Sequence, residues 1–387
     1  MAVGPTARPP VTPAHRRWGR RSRWFTALLV VVLVAVGTYG VAEYAAHLPP
    51  SGPTLTIWTY SSFFGSGSDP GAARGAVFDQ FENLTGAHVQ VVYQSSDLAS
   101  TLLTTPAAQR PDLVVGLDEI TSGEVERANL LLPYSPPNLA SVPPALVRAL
   151  GPGGGVVPYE YGYLGVDYNR SEDNASGHPY SQGSFFSALP AEPSLASQFV
   201  YEDPAAGSIV GEEFLAWEYE YYTQVLHQNW TGFWKGIAPH AIASPDWTDA
   251  YNEFSAGQAA ACVSYVTDPA YNYYFGYGGG TGSAVAVHNG TSYGWQTIYG
   301  AGILNSSKHV ALAEEFVNWL LGGTVQSLVA TNEWEYPANS TVLSELPPAY
   351  QVTLPPSSIT PLNPYLPPVQ AAEELPQWIL ELQSLGV

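Results

Sequence analysis

Six aromatic residues fall where a strand should end or a loop should enter a helix: Tyr60, Trp247, Tyr251, Tyr265, Tyr271 and Trp334. Carboxylates accompany them. Asp118 and Asp203 each close a strand pattern, and Asp246 and Asp268 flank aromatic residues. In open α/β sheets, ligands bind beyond the carboxyl ends of the strands. Rings at such a place stack on a flat ligand and attract a cation, and carboxylates supply the countercharge. The pattern suits the binding of a flat, positively charged molecule. The bland alternative is that a chain with 25 Tyr and 11 Trp buries aromatics throughout its core.

Other chemistries have less to stand on. No nucleophile elbow, HExxH, P-loop, EF-hand or zinc spacing occurs, and the eight His are scattered. The single Cys262 excludes a disulfide framework or a Cys-based metal cluster. Adjacent Tyr221-Tyr222 and Tyr273-Tyr274 keep a paired-tyrosine ferric iron site open, although such a site would want an anion-holding Arg or Ser. Many acids also leave a secreted hydrolase with two cleft carboxylates as a rival. A polyamine, another cationic heterocycle or a sugar are rival ligands, and a structural surface-layer protein is a rival of another kind.

The elements that must hold these residues alternate. Strand patterns at Leu55–Tyr60, His88–Tyr93 and Asp112–Leu117 are separated by helical spacing at 72–83, 98–108 and 119–128. This order predicts a parallel sheet with helices on both sides. Val156–Tyr168 reads as one long strand able to carry the chain from one lobe to another. Phe199–Asp203 and the aromatic helix 212–224 form a second strand–helix unit. Trp247–Ser255 reads as a helix, Cys262–Val266 as a strand, 293–304 as a return strand, and 310–321 and 369–382 as helices. The glycines between 276 and 282 lack the strand and helix of a dinucleotide site and read as a surface turn.

The 387 residues are 45% hydrophobic and 12% charged, enough apolar material for two domains and too much for general disorder. Residues 44–387 carry seven Lys and Arg against 32 Asp and Glu, a formal charge of −25. Such a surface repels nucleic acid and anionic headgroups. The other end differs. Six Arg precede the 19-residue uncharged run Trp24–Ala42. The expectation is a cytoplasmic basic tail (1–23), an uncleaved transmembrane signal anchor (24–42) and a linker (43–53), with the rest outside. Secretion after cleavage is the alternative. All seven Asn-x-Ser/Thr sequons follow the apolar run, which suits an external, glycosylated domain.

Seven segments, in order, resemble the thiamine-binding proteins of ABC importers, within the periplasmic binding protein superfamily of type II fold. They are Leu55-Thr-Ile-Trp-Thr-Tyr-Ser-Ser-Phe63, Asp112-Leu-Val-Val-Gly-Leu-Asp118, Val157-Pro-Tyr-Glu-Tyr-Gly-Tyr163, Tyr201-Glu-Asp-Pro204, Trp247-Thr-Asp-Ala-Tyr251, Ser264-Tyr-Val-Thr-Asp-Pro-Ala-Tyr271 and Asn332-Glu-Trp-Glu-Tyr-Pro337.

The resemblance implies a two-lobed α/β fold with a ligand cleft. Lobe 1 would comprise 54–158 and a return at 293–350, lobe 2 would comprise 159–292, and a Pro-rich segment and helix would fill 351–387. It implies a monomer without cofactor or enzymatic activity, which carries thiamine as cargo to an ABC permease. The six aromatics would enclose the rings, and Asp118 would bind the aminopyrimidine or face the cationic ring, with Asp203 nearby. Ser62 and Ser208 would bond a hydroxyl or phosphate tail. Two departures bear on the cargo. The family's polar run after its Tyr-Gln-Asp-Pro is Ala205-Ala206-Gly207 here, and Asp268 is a gained acid. Both point to an unphosphorylated cation.

Overall fold

The computed structural model describes residues 52–94, 97–151 and 153–386. The expected tail and anchor at 1–42 lie outside the described residues, as does the linker up to Ser51. Among the described residues, no helix is long and apolar enough to cross a membrane.

Leu55, Ile57 and Thr59 alternate inward on β1 (Thr54–Tyr60), so one face of the strand is buried. β1 pairs in parallel with β2 (His88–Gln94) and with β3 (Leu113–Leu117). All five β3 residues are buried, as a strand covered by helices on both faces requires. β4 (Leu131–Leu132) and β5 (Val156–Tyr161) follow. The chain then builds a second sheet from β6 (Leu164–Asn169), β7 (Phe199–Glu202), β8 (Ile242–Ser244), β9 (Ala261–Tyr265) and β10 (Thr281–Ala284), in the order β10-β6-β9-β7-β8. A hairpin of β11 (Ala286–His288) and β12 (Thr291–Gly294) leads back to the first sheet as β13 (Ile298–Leu304) and β14 (Tyr336–Pro337). The first sheet runs β14-β5-β13-β3-β1-β2, with β4 against β13.

Both sheets are mixed. The expected parallel pairing holds for β2-β1-β3 and β8-β7-β9, but β13 runs antiparallel to β3 and β5, and β6 to β9 and β10. The reversed strands are those that leave or re-enter a lobe.

Residues 156–168, expected as one strand, are two strands in different sheets, broken at Gly162-Tyr163. The returning chain crosses at Trp295–Thr297. The two crossings pair: Gly162 N donates to Thr297 O at 2.8 Å, and Thr297 N to Gly162 O at 3.2 Å. Gly162 is required there, because a Cβ would lie 1.7 Å from a Glu335 carboxylate oxygen.

Each lobe has its own core. The first is built from the sheet's aliphatic residues with Phe316, Val317 and Leu320. The second is aromatic: Phe186 meets Trp217 at 5.2 Å, and Phe214 meets Trp234 at 5.8 Å, both near edge-to-face. Such pairs add roughly 0.5–1.5 kcal/mol each beyond their burial. Tyr221 and Tyr222 belong to this core, and the Tyr222 hydroxyl donates to Phe186 O at 2.6 Å. That pair is structural, not an iron site.

The segment after 350 is integrated into the fold. β15 (Thr360–Pro361) pairs with β12. The helix Pro368–Leu385 buries Ala371, Leu375, Trp378 and Leu382 in the second core, with Trp378 stacked 3.7 Å from Tyr219. It also lies on the helix Thr121–Arg127, where Arg127 Nη1 donates to Ala372 O at 2.9 Å.

Candidate ligand-binding site between the two sheets

β1 ends at Tyr60, and its hydroxyl is a hub between segments distant in sequence. It lies 2.8 Å from Glu333, 3.2 Å from Glu160 and 3.0 Å from the Tyr159 hydroxyl. Phe64 N donates to the other Glu333 oxygen. The Tyr60 ring sits 6.0 Å from that of Tyr299 on β13. The Tyr299 hydroxyl meets that of Tyr265, at the end of β9, at 3.1 Å, so the two lobes touch through these phenols.

Carboxylates crowd this place. Glu160 is 1% exposed and Glu335 5% exposed, and each has an oxygen without a hydrogen-bond partner. Burial pushes Glu160 up to about 8. Burial and then the neighbouring Glu160 raise Glu333 and Glu335 well above the usual range. Arg74 pulls Glu333 partly back, but its own donors go to Phe63 O and Ser61 O. Unpaired buried carboxylates are costly, and a bound cation would relieve that cost.

Trp334 stands between Glu333 and Glu335 with φ +61, a left-handed conformation that is rare for so large a residue. This turn sends the acids on either side toward Glu160. The indole is 4% exposed, and its Nε1 donates to Ser66 O at 2.9 Å. Tyr271 and Tyr274, on the helix Asp268–Tyr274 of the second lobe, meet the indole edge-on at 5.2 and 5.1 Å. Tyr274 rests on the Trp334 indole, whereas Tyr273 is 61% exposed, so the two members of this adjacent pair stand in different surroundings.

On the second sheet, Trp247 stacks on Tyr251 at 4.9 Å, and its Nε1 donates to Ser264 Oγ at 2.9 Å. Asp246 caps this helix, as its side chain accepts from Asp249 N. Ser264 Oγ donates to Asp268, which also accepts from Tyr265 N at 3.3 Å. Burial raises Asp268 to about 6, and burial and then Asp268 raise Asp167, both of whose oxygens lack a partner.

The remaining expected residues are engaged locally. Asp118 is fully buried; its Oδ1 accepts from Ile120 N and Thr121 N at 2.7 and 2.8 Å, while Oδ2 has no partner. Burial lifts it to about 6. Asp203 caps the turn Pro204–Ala206 by accepting from Ala205 N at 2.8 Å. Ser208 caps the helix Ile209–Glu220 and donates to Glu202. Ser62 is exposed in the turn after β1, where its carbonyl accepts from Gly65 N.

Thus Tyr60, Tyr265, Tyr271 and Trp334 gather at the junction of the lobes, Trp247 and Tyr251 stack on the second sheet, and Asp203 and Ser208 are helix caps. Missed by sequence reasoning were Glu160, Glu333, Glu335, Asp167, Tyr159 and Tyr299. The first three stand inside the motifs chosen for their aromatics. Among the described residues, no group of His, Cys, Asp and Glu is arranged to hold a metal ion.

Comparison with known proteins agrees with this architecture. The chain is 25% identical over 344 residues to the thiamine-binding periplasmic protein of Salmonella typhimurium, covering 86% of this chain and 93% of that one. The solved structure of a periplasmic thiamin binding protein superposes with a TM-score of 0.71 at 21% identity, over 88% of this chain and 98% of the other. Iron-bound HitA from Pseudomonas aeruginosa gives 0.66 at 19% identity, over 87% and 100%. The fold is thus shared by proteins with unlike ligands, and the cargo has to be argued from the site. The family model for the bacterial extracellular solute-binding proteins matches residues 76–353, from the first helix through the return to the first sheet, and to that family the chain belongs.

Proposed function

We propose that this protein captures thiamine outside the cytoplasmic membrane and delivers it to an ABC importer. One observation carries the reading: aromatic rings from both lobes meet where buried carboxylates, Glu160 and Glu335 foremost, have oxygens without partners. A flat organic cation supplies what that place lacks. The relatives named for thiamine binding support the choice of cation. Trp334 and Tyr271 would grip one ring, and Tyr60, Tyr265 and Tyr299 would line the other side. Lobe closure about Gly162 and Thr297 would bury the ligand and strengthen the charge attraction by excluding water. A nanomolar affinity needs about 12 kcal/mol, or roughly 0.7 kcal/mol for each of thiamine's ~18 heavy atoms, within reach of a small rigid ligand. The run at 24–42 would tether the protein as a single-pass anchor, and binding, not turnover, would be its work.

The test is a tryptophan fluorescence titration with thiamine. Saturable quenching at sub-micromolar concentration, shifted to about tenfold or more higher thiamine in Tyr271→Ala, is expected. No response up to about millimolar thiamine, where binding is worth only ~4 kcal/mol, would overturn the reading.

A further inference from the structure

We infer that the folded protein carries N-linked sugar at three exposed asparagines, Asn83, Asn174 and Asn289. This rests on the placement outside the membrane proposed above and not on the choice of cargo. The first observation is the number of sequons. Seven of the chain's 14 Asn are followed two residues on by Ser or Thr with no Pro between. Ser and Thr make up 57 of the 387 residues, so composition alone would put only about two Asn in that pattern.

The fold accounts for part of the excess. Asn with Ser or Thr two residues on also makes a local capping turn. Asn169 Oδ1 accepts from Ser171 N and Oγ at 2.9 and 2.6 Å, and Asn229 Oδ1 from Thr231 N and Oγ1 at 2.8 and 2.7 Å. Asn339 Oδ1 accepts from Thr341 N and Oγ1 at 3.0 and 2.7 Å. At these three a structural role explains the spacing. Asn339 is moreover 4% exposed and gives its Nδ2 to Leu321 O at 2.8 Å, so it has no free nitrogen to modify. Asn305 likewise spends its Nδ2 on Asn129 O at 2.6 Å.

The other three are different. Asn83 lies on the helix Asp79–Thr85, Asn174 on the helix Arg170–Ala175, and Asn289 at the tip of the β11–β12 hairpin. All are exposed. Among the described residues, the side chains of Asn83 and Asn174 make no hydrogen bond, and Asn289 meets only the ring of its neighbour His288. None of the three forms the capping turn, so the hydroxyl two residues on has no role toward its Asn. Two of the positions also leave the cleft clear. β2 starts at His88, opposite Thr54 and so at the far end of β1 from Tyr60; Asn83 stands just before it. β6 leaves the crossing at Leu164 and ends at Asn169, and the helix of Asn174 follows from that far end. Bulky, hydrophilic sugar is accommodated at such surfaces.

The donor is a polyprenyl-phosphate-linked sugar, used by a membrane-bound transferase. The Asn Nδ2 forms a bond to the anomeric carbon, the anomeric C–O bond to phosphate breaks, the polyprenyl phosphate leaves, and the amide proton passes to a base of the transferase.

The experiment is tandem mass spectrometry of proteolytic peptides from the full chain, purified from the cells that make it. Sugar is expected on at least two of Asn83, Asn174 and Asn289, and none on Asn339. Ser176→Ala keeps Asn174 and destroys only its sequon; it should abolish sugar at Asn174, Ser176→Thr should retain it, and both should leave thiamine affinity unchanged. Two or more of the three asparagines bare, or sugar on Asn339, overturns the inference. Protease treatment of intact cells then separates the causes: a chain that the protease cannot reach shows that the placement outside has failed as well. A glycosylated chain that gives no thiamine response overturns the cargo alone.

Discussion

The hydroxyl of Tyr60 donates to Glu333 at 2.8 Å, joining the end of the first strand to a residue 273 positions later. The same oxygen is 3.2 Å from Glu160, so one phenolic proton serves two buried carboxylates. A second proton must be shared locally unless a cation arrives.

That arrangement fixes the direction of the protein's pH response. Glu119, Glu160 and Glu202 are held near pKa 8 in the folded state against an ordinary 4.5, chiefly by burial. The folded protein therefore binds more protons than the unfolded chain between those values. Their contribution to stability is fully present below about pH 4.5 and drains away as pH rises through 8. Thermal unfolding of the ligand-free protein should show a midpoint several degrees higher near pH 5 than near pH 8, roughly the effect of a few kcal/mol. A midpoint that rises over this range would contradict the burial of these groups.

Glu160→Gln should move two measurements in opposite directions. It removes a buried charge, so the ligand-free protein should melt higher at about pH 8. It also removes countercharge, so thiamine affinity should fall about tenfold or more, as for one close charge pair. A purely structural Glu160 would leave affinity untouched.

Trp334 and Tyr271 meet edge-on at 5.2 Å from opposite lobes. Tyr271→Ala truncates a half-buried ring and should weaken thiamine binding about tenfold or more, at the scale of a lost aromatic contact. Tyr271→Phe should retain most of it. Trp334→Ala empties a buried position, and an added loss of about 3–5 kcal/mol of stability is expected by chemical denaturation.

Gly162→Ala should destabilise the protein by forcing a methyl group into the Glu335 carboxylate, 1.7 Å away. The double variant Gly162→Ala/Glu335→Ala should recover part of the loss. Non-additivity of about 0.5–3 kcal/mol is the expected sign of direct contact. Simple addition of the two single effects would show that the contact carries no energy.

The sequence was most readable where a local rule has one meaning. Trp247–Ser255, expected as a helix, is one: Ala250 and Phe254 are its buried positions, and Asp246, read only as a carboxylate beside aromatics, caps it. Asp203 and Ser208 were less readable, since the position that offers a side chain to a ligand at a strand's end is also the one that caps the next helix. Both turned out to cap. The helical segment expected at 72–83 is two helices, Pro70–Val77 and Asp79–Thr85, meeting at Phe78. Glu160, Glu333 and Glu335 were illegible for another reason. Nothing in the local pattern of the 32 acids sets these three apart; they converge on the Tyr60 end of β1 only because distant segments fold together there.

The closing helix has one more consequence. The second core is completed by Trp378 and Leu382, and the first sheet by β13 and β14, so neither lobe is a continuous stretch of chain. As the chain emerges, β1, β2 and β3 can pair with one another early, but β5 waits for β13 and β14, and the second core waits for the final helix. That delay favours a partly assembled chain with exposed apolar surface, and it makes protection of that chain as much a requirement of this fold as its finished contacts.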